Sequence, residues 1–164
     1  MKKIIATIFW LIVALLLLSQ LIPKNNNNTG SAEGPSAINS VYEIPEQVST
    51  ILKTSCYDCH SNHTVYPWYS NIQPLSWWLN DHVKEGKKEL NFSEFGNYSA
   101  KKQDHKLKEI AEQVEEQEMP LGSYTLIHQN AKLSSEQSAL IVNWVMNLRS
   151  SINKDMPVEK TEHE

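Results

Sequence analysis

Residues 55–70 read SCYDCHSNHTVYPWYS and contain both cysteines of the chain, with a histidine directly after the second. Three chemistries use a Cys-x-x-Cys-His run. Disulfide exchange of the thioredoxin kind needs a βαβ setting, and no stretch of this sequence alternates as a strand does. Structural zinc needs a second ligand pair at matched spacing, and His60, His63, His82, His105 and His128 do not supply one. Covalent haem employs the whole run. Cys56 and Cys59, three positions apart on one helical turn, become the thioether sites, and His60 becomes the proximal iron ligand. The cofactor this implies is haem c, one per chain.

Thioether attachment takes place outside the cytoplasmic membrane, and the N-terminus offers a way there. In MKKIIATIFWLIVALLLLSQLIPK (1–24), Lys2 and Lys3 precede an uncharged run from Ile4 to Ile22, 19 residues that just suffice to cross a hydrocarbon core. Positive charge stays inside, so the rest is exported to the periplasm. The rival reading is a cleaved signal peptide, but its apolar region is usually shorter and no small-residue cleavage pattern follows the run, which favours an uncleaved, single-pass signal anchor in the inner membrane. Residues 25–40, NNNNTGSAEGPSAINS, are polar and read as a flexible linker with a reach of about 20 Å. The exported domain spans 41–150, and the polar residues 151–164 read as a disordered tail.

At 164 residues, 40% hydrophobic and 21% charged, the chain holds one globular domain. Its net charge is −4, but without Lys2, Lys3 and Lys24 there remain 12 basic against 19 acidic residues. Such a surface excludes nucleic acid as a partner and favours redox proteins with basic docking surfaces.

Four helical patterns follow the linker. IPEQVSTILKTSCYDCH (44–60) opens at Pro45, aligns Ile44, Val48, Ile51 and Leu52, and delivers Cys56 at its end. PLSWWLNDHVKEG (74–86) spaces Leu75, Trp78, Leu79, His82 and Val83 helically, with Gly86 as its stop. SAKKQDHKLKEIAEQVEEQEMP (99–120) starts at an N-cap, Ser99, carries Leu107, Ile110, Ala111 and Val114 as a stripe, and ends at Pro120. SSEQSALIVNWVMNLRS (134–150) opens with a capping box of Ser134 and Gln137 and buries Leu140, Ile141, Trp144, Val145 and Leu148. The fold class is therefore all-α: one N-terminal transmembrane helix, then a small helical domain whose thin core leaves room for a covalent haem.

The iron's second axial position needs a donor, and Met119, directly before Pro120 where a helix runs out, suits it. Met146, inside the last helix, and Met156, in the tail, are weaker choices. His82 is the leading rival, followed by His128. Among the clustered aromatics, Trp68 and Trp78 are expected to wall the cofactor, and Tyr124 to reach a propionate.

The order of these features resembles class I cytochrome c. More closely, SCYDCHSNHTVYPWYSNIQPLSWWLNDHVKEGKKELNFSEF, then EMPLGSYTLIH and the closing helix, is similar to the membrane-anchored haem-binding-domain family over roughly residues 41–149. That resemblance implies a cytochrome c-like domain with Cys56 and Cys59 as attachment sites, His60 proximal and Met119 distal. The role it favours is electron transfer through His/Met-ligated iron rather than an enzymatic one. The alternative is a haem-based gas or redox sensor, or a small haem enzyme, with an open sixth position.

Overall fold

A computed structural model describes residues 1–24 and 26–155, and every regular element among them is a helix. Helix α1, Lys2–Ser19, buries none of its side chains and has a mean hydropathy of 2.1, long and apolar enough to cross a membrane. Its polar side chains turn back on the helix itself: Thr7 Oγ1 donates to Lys3 O at 3.0 Å and Ser19 Oγ to Leu16 O at 2.8 Å. The outer surface is left apolar all round.

The residues after α1 are not a free linker. Asn27 Nδ2 donates to Asn80 Oδ1 at 2.6 Å, and Asn27 N–H to the Tyr66 hydroxyl at 2.9 Å. Asn28 exchanges two hydrogen bonds with the Thr64 backbone, at 2.7 and 3.1 Å, and Lys87 Nζ donates to Asn27 O. Ala37 and Ile38 are buried, and a short helix α2, Ile38–Val41, begins at the second of them. Composition suggested disorder because apolar residues are few here. Side-chain amides dock the segment instead, through partners that composition does not register.

Helix α3, Glu46–Ser55, buries Val48, Ile51 and Leu52 as their spacing predicts. It does not continue to His60. Cys56 takes φ −125° and ψ −39°, breaking the helix, and α4, Tyr57–His60, restarts as a separate turn. Helix α5, Leu75–Glu89, runs straight through Gly86. Helix α6, Ala100–Glu115, starts where Ser99 Oγ accepts from Lys102 N–H and buries Leu107, Ala111 and Val114. It ends well before Pro120. Gln117 enters the left-handed region at φ 59°, and the N–H groups of Glu118 and Met119 both return to Gln113 O, at 3.0 and 3.1 Å. A short α7, Gly122–Thr125, follows.

Helix α8, Ser135–Asp155, opens on the reciprocal capping box: Ser134 N–H donates to Gln137 Oε1 at 2.9 Å and Gln137 N–H to Ser134 Oγ at 3.1 Å. The helix extends past the expected end at 150, because its stripe of Ile141, Val145 and Leu148 continues in buried Ile152. Residues 151–155 are thus helical rather than part of a loose tail. The remainder of that tail, with Met156, lies outside the described residues.

Helices α6 and α8 pack along one another over Leu107, Ala111, Val114, Ile141, Val145 and Leu148. The 3₁₀ turn Phe92–Asn97, capped by Asn91, completes this core with Phe92 and Phe95. Phe92 stacks on Tyr57 of α4 at 5.4 Å and meets the His60 ring edge-on at 6.5 Å. A smaller cluster of Tyr69, Leu79 and Val83 supports the other side of α4 against Cys59 and Tyr66.

One clip ties α6 to α8 through a carboxylate. Arg149 Nε and Nη2 donate to the two Asp104 oxygens at 2.9 and 3.3 Å, and Asn153 Nδ2 adds a third bond at 3.0 Å. The Arg149 hydrogen bonds hold the Asp104 carboxyl below its usual range, partly opposed by burial. A carboxylate depressed on folding stabilises the fold above its unfolded pKa, about 4, and that contribution fades as pH falls through the lowered folded value. Arg149→Met should therefore cost about 1–2 kcal/mol at pH 7 and flatten the Tm loss on acidification below about pH 4. Scanning calorimetry across pH checks this; parallel Tm profiles for the two proteins would refute it.

Candidate cofactor site

The Cys56–His60 turn is held by Cys59 N–H and His60 N–H, which both donate to Cys56 O, at 3.2 and 2.9 Å. Helix α5 lies directly against it at Gly86. A Cβ on that glycine would stand 2.8 Å from Cys59 O and 3.1 Å from Cys59 Cβ, so no larger residue fits without moving backbone. Gly86 is the point of close approach between α5 and α4, not the stop that its place after an apolar stripe suggested.

His60 Nδ1 lies 3.1 Å from Leu90 O. A carbonyl only accepts, so Nδ1 carries the proton and the Nε2 lone pair stays available to a metal. Burial, the largest influence, lowers the His60 pKa against the opposing Leu90 and Gly86 hydrogen bonds, which keeps the ring in its neutral, ligating form. Both thiols are free of disulfide. Burial pushes the Cys56 thiol up to about 12 and the Cys59 thiol up to about 11, the reverse of the acidic thiol that disulfide exchange employs. Among the described residues no group of three or more His, Cys, Asp or Glu converges as a metal-ion site.

This turn forms one wall of a cavity of about 590 Å³. Apolar walls come from Leu90 and Phe92, from Ile110 and Val114 on α6, and from Leu121. Met119 and Tyr124 line it from the segment after α6. The α5 residues facing the cavity are Asp81, His82, Glu85, Gly86 and Glu89, and Glu109 and Glu112 answer from α6. Lys106 is the one lysine or arginine among the lining residues. Its Nζ bridges Glu109 at 2.7 Å and Glu89 at 3.6 Å, tying α6 to α5.

Five of the residues singled out in the sequence thus meet at one cavity: Cys56, Cys59, His60, Met119 and Tyr124. His82 joins them. Its Nδ1 bonds Trp78 O at 2.8 Å, which leaves Nε2 open in the same way as on His60. Trp68 and Trp78 do not line the cavity. Trp68 is 76% exposed, and Trp78, 40% exposed, packs against the His82 ring at 4.3 Å. Aliphatic side chains from α6 and the loops take the walls assigned to them. The Tyr124 hydroxyl donates to Asp58 Oδ2 at 2.8 Å, inside the Cys-x-x-Cys-His run, so it braces that turn. His128 pairs with the Tyr69 hydroxyl at 2.8 Å, and Met146 is an exposed residue of α8 outside the cavity. Sequence reading missed Asp58, Lys106 and the role of Gly86; only Asp58, lying within the motif, carried any local signal.

A family model described as a haem-binding domain matches residues 14–147. The chain belongs to this haem-binding domain family. No curated protein and no solved structure matches it. The haem-binding domain match begins inside α1, consistent with the docking of the segment that follows. The cavity also fits the group that the family implies. Its volume, about 590 Å³, lies in the range that holds a bound organic cofactor. Its walls are mainly apolar, and imidazole nitrogen and thioether sulfur, both suited to haem iron, stand on it.

Proposed function

We propose that this haem-binding domain is an exported, membrane-anchored c-type cytochrome that carries single electrons. The observation supporting the reading most strongly is that Cys56, Cys59, His60 and Met119 line one cavity, with His60 Nδ1 held by Leu90 O. In this reading Cys56 and Cys59 would hold the haem as thioethers, the addition of each S–H across a vinyl group requiring no oxidant. Protonated, disulfide-free thiols are the form that this addition consumes. Bound haem would supply a one-electron iron couple, and His60 with the Met119 thioether would hold the iron, a ligand pair that raises the potential into the electron-transfer range. Leu90 O holds His60 in its ligating tautomer, and Tyr124 with Asp58 steadies the turn. Asp81, Glu85, Glu89, Glu109 and Glu112 around the cavity present negative charge to a basic redox partner. Lys2 and Lys3 at the start of α1 support an anchor that leaves the domain on the periplasmic face of the inner membrane.

Met119→Ala tests the ligation. The wild type is expected to show a methionine-to-iron charge-transfer band and to ignore carbon monoxide; the variant should lose the band and bind carbon monoxide rapidly. If Met119→Ala changes nothing while His82→Ala does, His82 holds the sixth position. Rapid carbon monoxide binding by the wild type would refute the electron carrier and leave a sensor or small enzyme.

A further inference from the structure

The tryptophans that turn away from the cavity form a surface of their own. Residues 59–80 contain no Asp, Glu, Lys or Arg, in a chain that is 21% charged. Within this stretch Trp68, Ile72, Leu75, Trp77 and Trp78 are 76, 41, 44, 43 and 40% exposed. Trp68 opens the 3₁₀ turn Trp68–Asn71, Ile72 directly follows that turn, and Leu75, Trp77 and Trp78 lie in the first turn of α5, so that the five flank Gln73 on both sides. Gln73 is where α1 docks. Gln20, one residue past the end of α1, donates through Nε2 to Gln73 O and accepts from Gln73 N–H at Oε1, each at 3.0 Å. Lys24 Nζ adds a bond to Asn71 Oδ1 at 3.4 Å. The exposed aromatic corner is thus fastened to the C-terminal end of the apolar helix.

We propose that Trp68, Ile72, Leu75, Trp77 and Trp78 are a membrane-interface platform that seats the haem domain flat on the bilayer into which α1 inserts. The proposal rests on the anchoring reading above and goes beyond it. Indole is amphipathic and settles at headgroup level, where tryptophan is enriched, and a charge-free stretch avoids the cost of bringing ions there. Continuity with α1 identifies the occupant as lipid. A helix that leaves the bilayer at Ser19 and is pinned to Gln73 immediately afterwards brings this corner to the surface it has just crossed. The Asn27 and Asn28 contacts to Asn80, Tyr66 and Thr64 then hold it down, giving the domain one fixed face toward the membrane.

The test uses the full, haem-loaded chain in vesicles of phosphatidylethanolamine and phosphatidylglycerol, with a trace of phospholipid carrying a diazirine near the glycerol end of one acyl chain. After photolysis, labelled peptides are mapped by mass spectrometry. Label is expected on α1 and on 68–78, and not on α6 or α8. Trp68→Ser/Trp77→Ser/Trp78→Ser, all exposed positions, should reduce label on 68–78 by about fivefold or more and leave α1 unchanged. Label on α1 without label on 68–78 overturns the platform while the anchor stands, as does a triple variant labelled like the wild type. Absence of label from both segments overturns anchor and platform together. Cross-links at 68–78 between two copies, in place of lipid adducts, assign the surface to self-association and overturn the proposal.

Discussion

Gly86→Ala is expected to destabilise the protein by about 2 kcal/mol and to lower Tm by roughly 5–10 °C. The sign is what makes this prediction sharp. Inside an ordinary helix, glycine to alanine gains about 0.5–1 kcal/mol, because glycine loses more backbone freedom on folding. Here the added Cβ would sit 2.8 Å from Cys59 O and 3.1 Å from Cys59 Cβ. The nearest obstacle is backbone, which has no rotamer by which to escape. Either α5 moves outward, separating Leu79 and Val83 from Tyr69, or the α4 turn moves, carrying Cys59 and His60 with it. Both outcomes disturb the cofactor wall, so the haem-loaded fraction of expressed protein should fall along with Tm. Thermal melts and haem content per polypeptide read the two effects separately. A variant as stable as wild type, or more stable, would show that α5 does not press on the motif.

His60→Ala has the other large effect, and it separates attachment from ligation. On the proposed attachment through Cys56 and Cys59, both of which remain in this variant, covalent haem is expected to persist while the spectrum loses its six-coordinate form. Removing the ring also leaves Leu90 O without its partner beside a residue that is 9% exposed, a cost of about 1–3 kcal/mol. The space vacated lies against Phe92 and opens to the cavity, so added imidazole should enter it and restore the spectrum. A spectrum unchanged by the substitution would mean that iron is held from elsewhere, with His82 the first alternative to examine.

Much of this architecture is written in local patterns. The stripes of α3, α6 and α8 and the Ser134–Gln137 box depend on residues three or four apart, which physical periodicity reveals directly. The Cys-x-x-Cys-His run is equally local. What sequence reading misplaced depends on contacts between distant segments. Gly86, ahead of Lys87 and Lys88, looks like the end of a helix, and only the approach of Cys59 explains why it lies inside one. Phe92 and Phe95 fill the core from a 3₁₀ turn that has no helical stripe. The asparagines after α1 look like a tether until Asn80 and Thr64 are brought opposite them. Tyr124 and Asp58 are 66 positions apart, so nothing nearby in the chain shows that the hydroxyl is already committed. The tryptophans mislead for a related reason: an aromatic cluster next to a cofactor motif suggests a pocket lining, yet no tryptophan lines the cavity and Trp68, Trp77 and Trp78 are exposed.

The central claim, that the chain folds around a tetrapyrrole joined to both cysteines, is tested most directly by the intact mass of the polypeptide after full denaturation, following production with the haem ligation machinery. The expected mass is that of the polypeptide plus one haem, reverting to the bare polypeptide in Cys56→Ser/Cys59→Ser. A wild-type chain that runs at its bare mass under those conditions would contradict it.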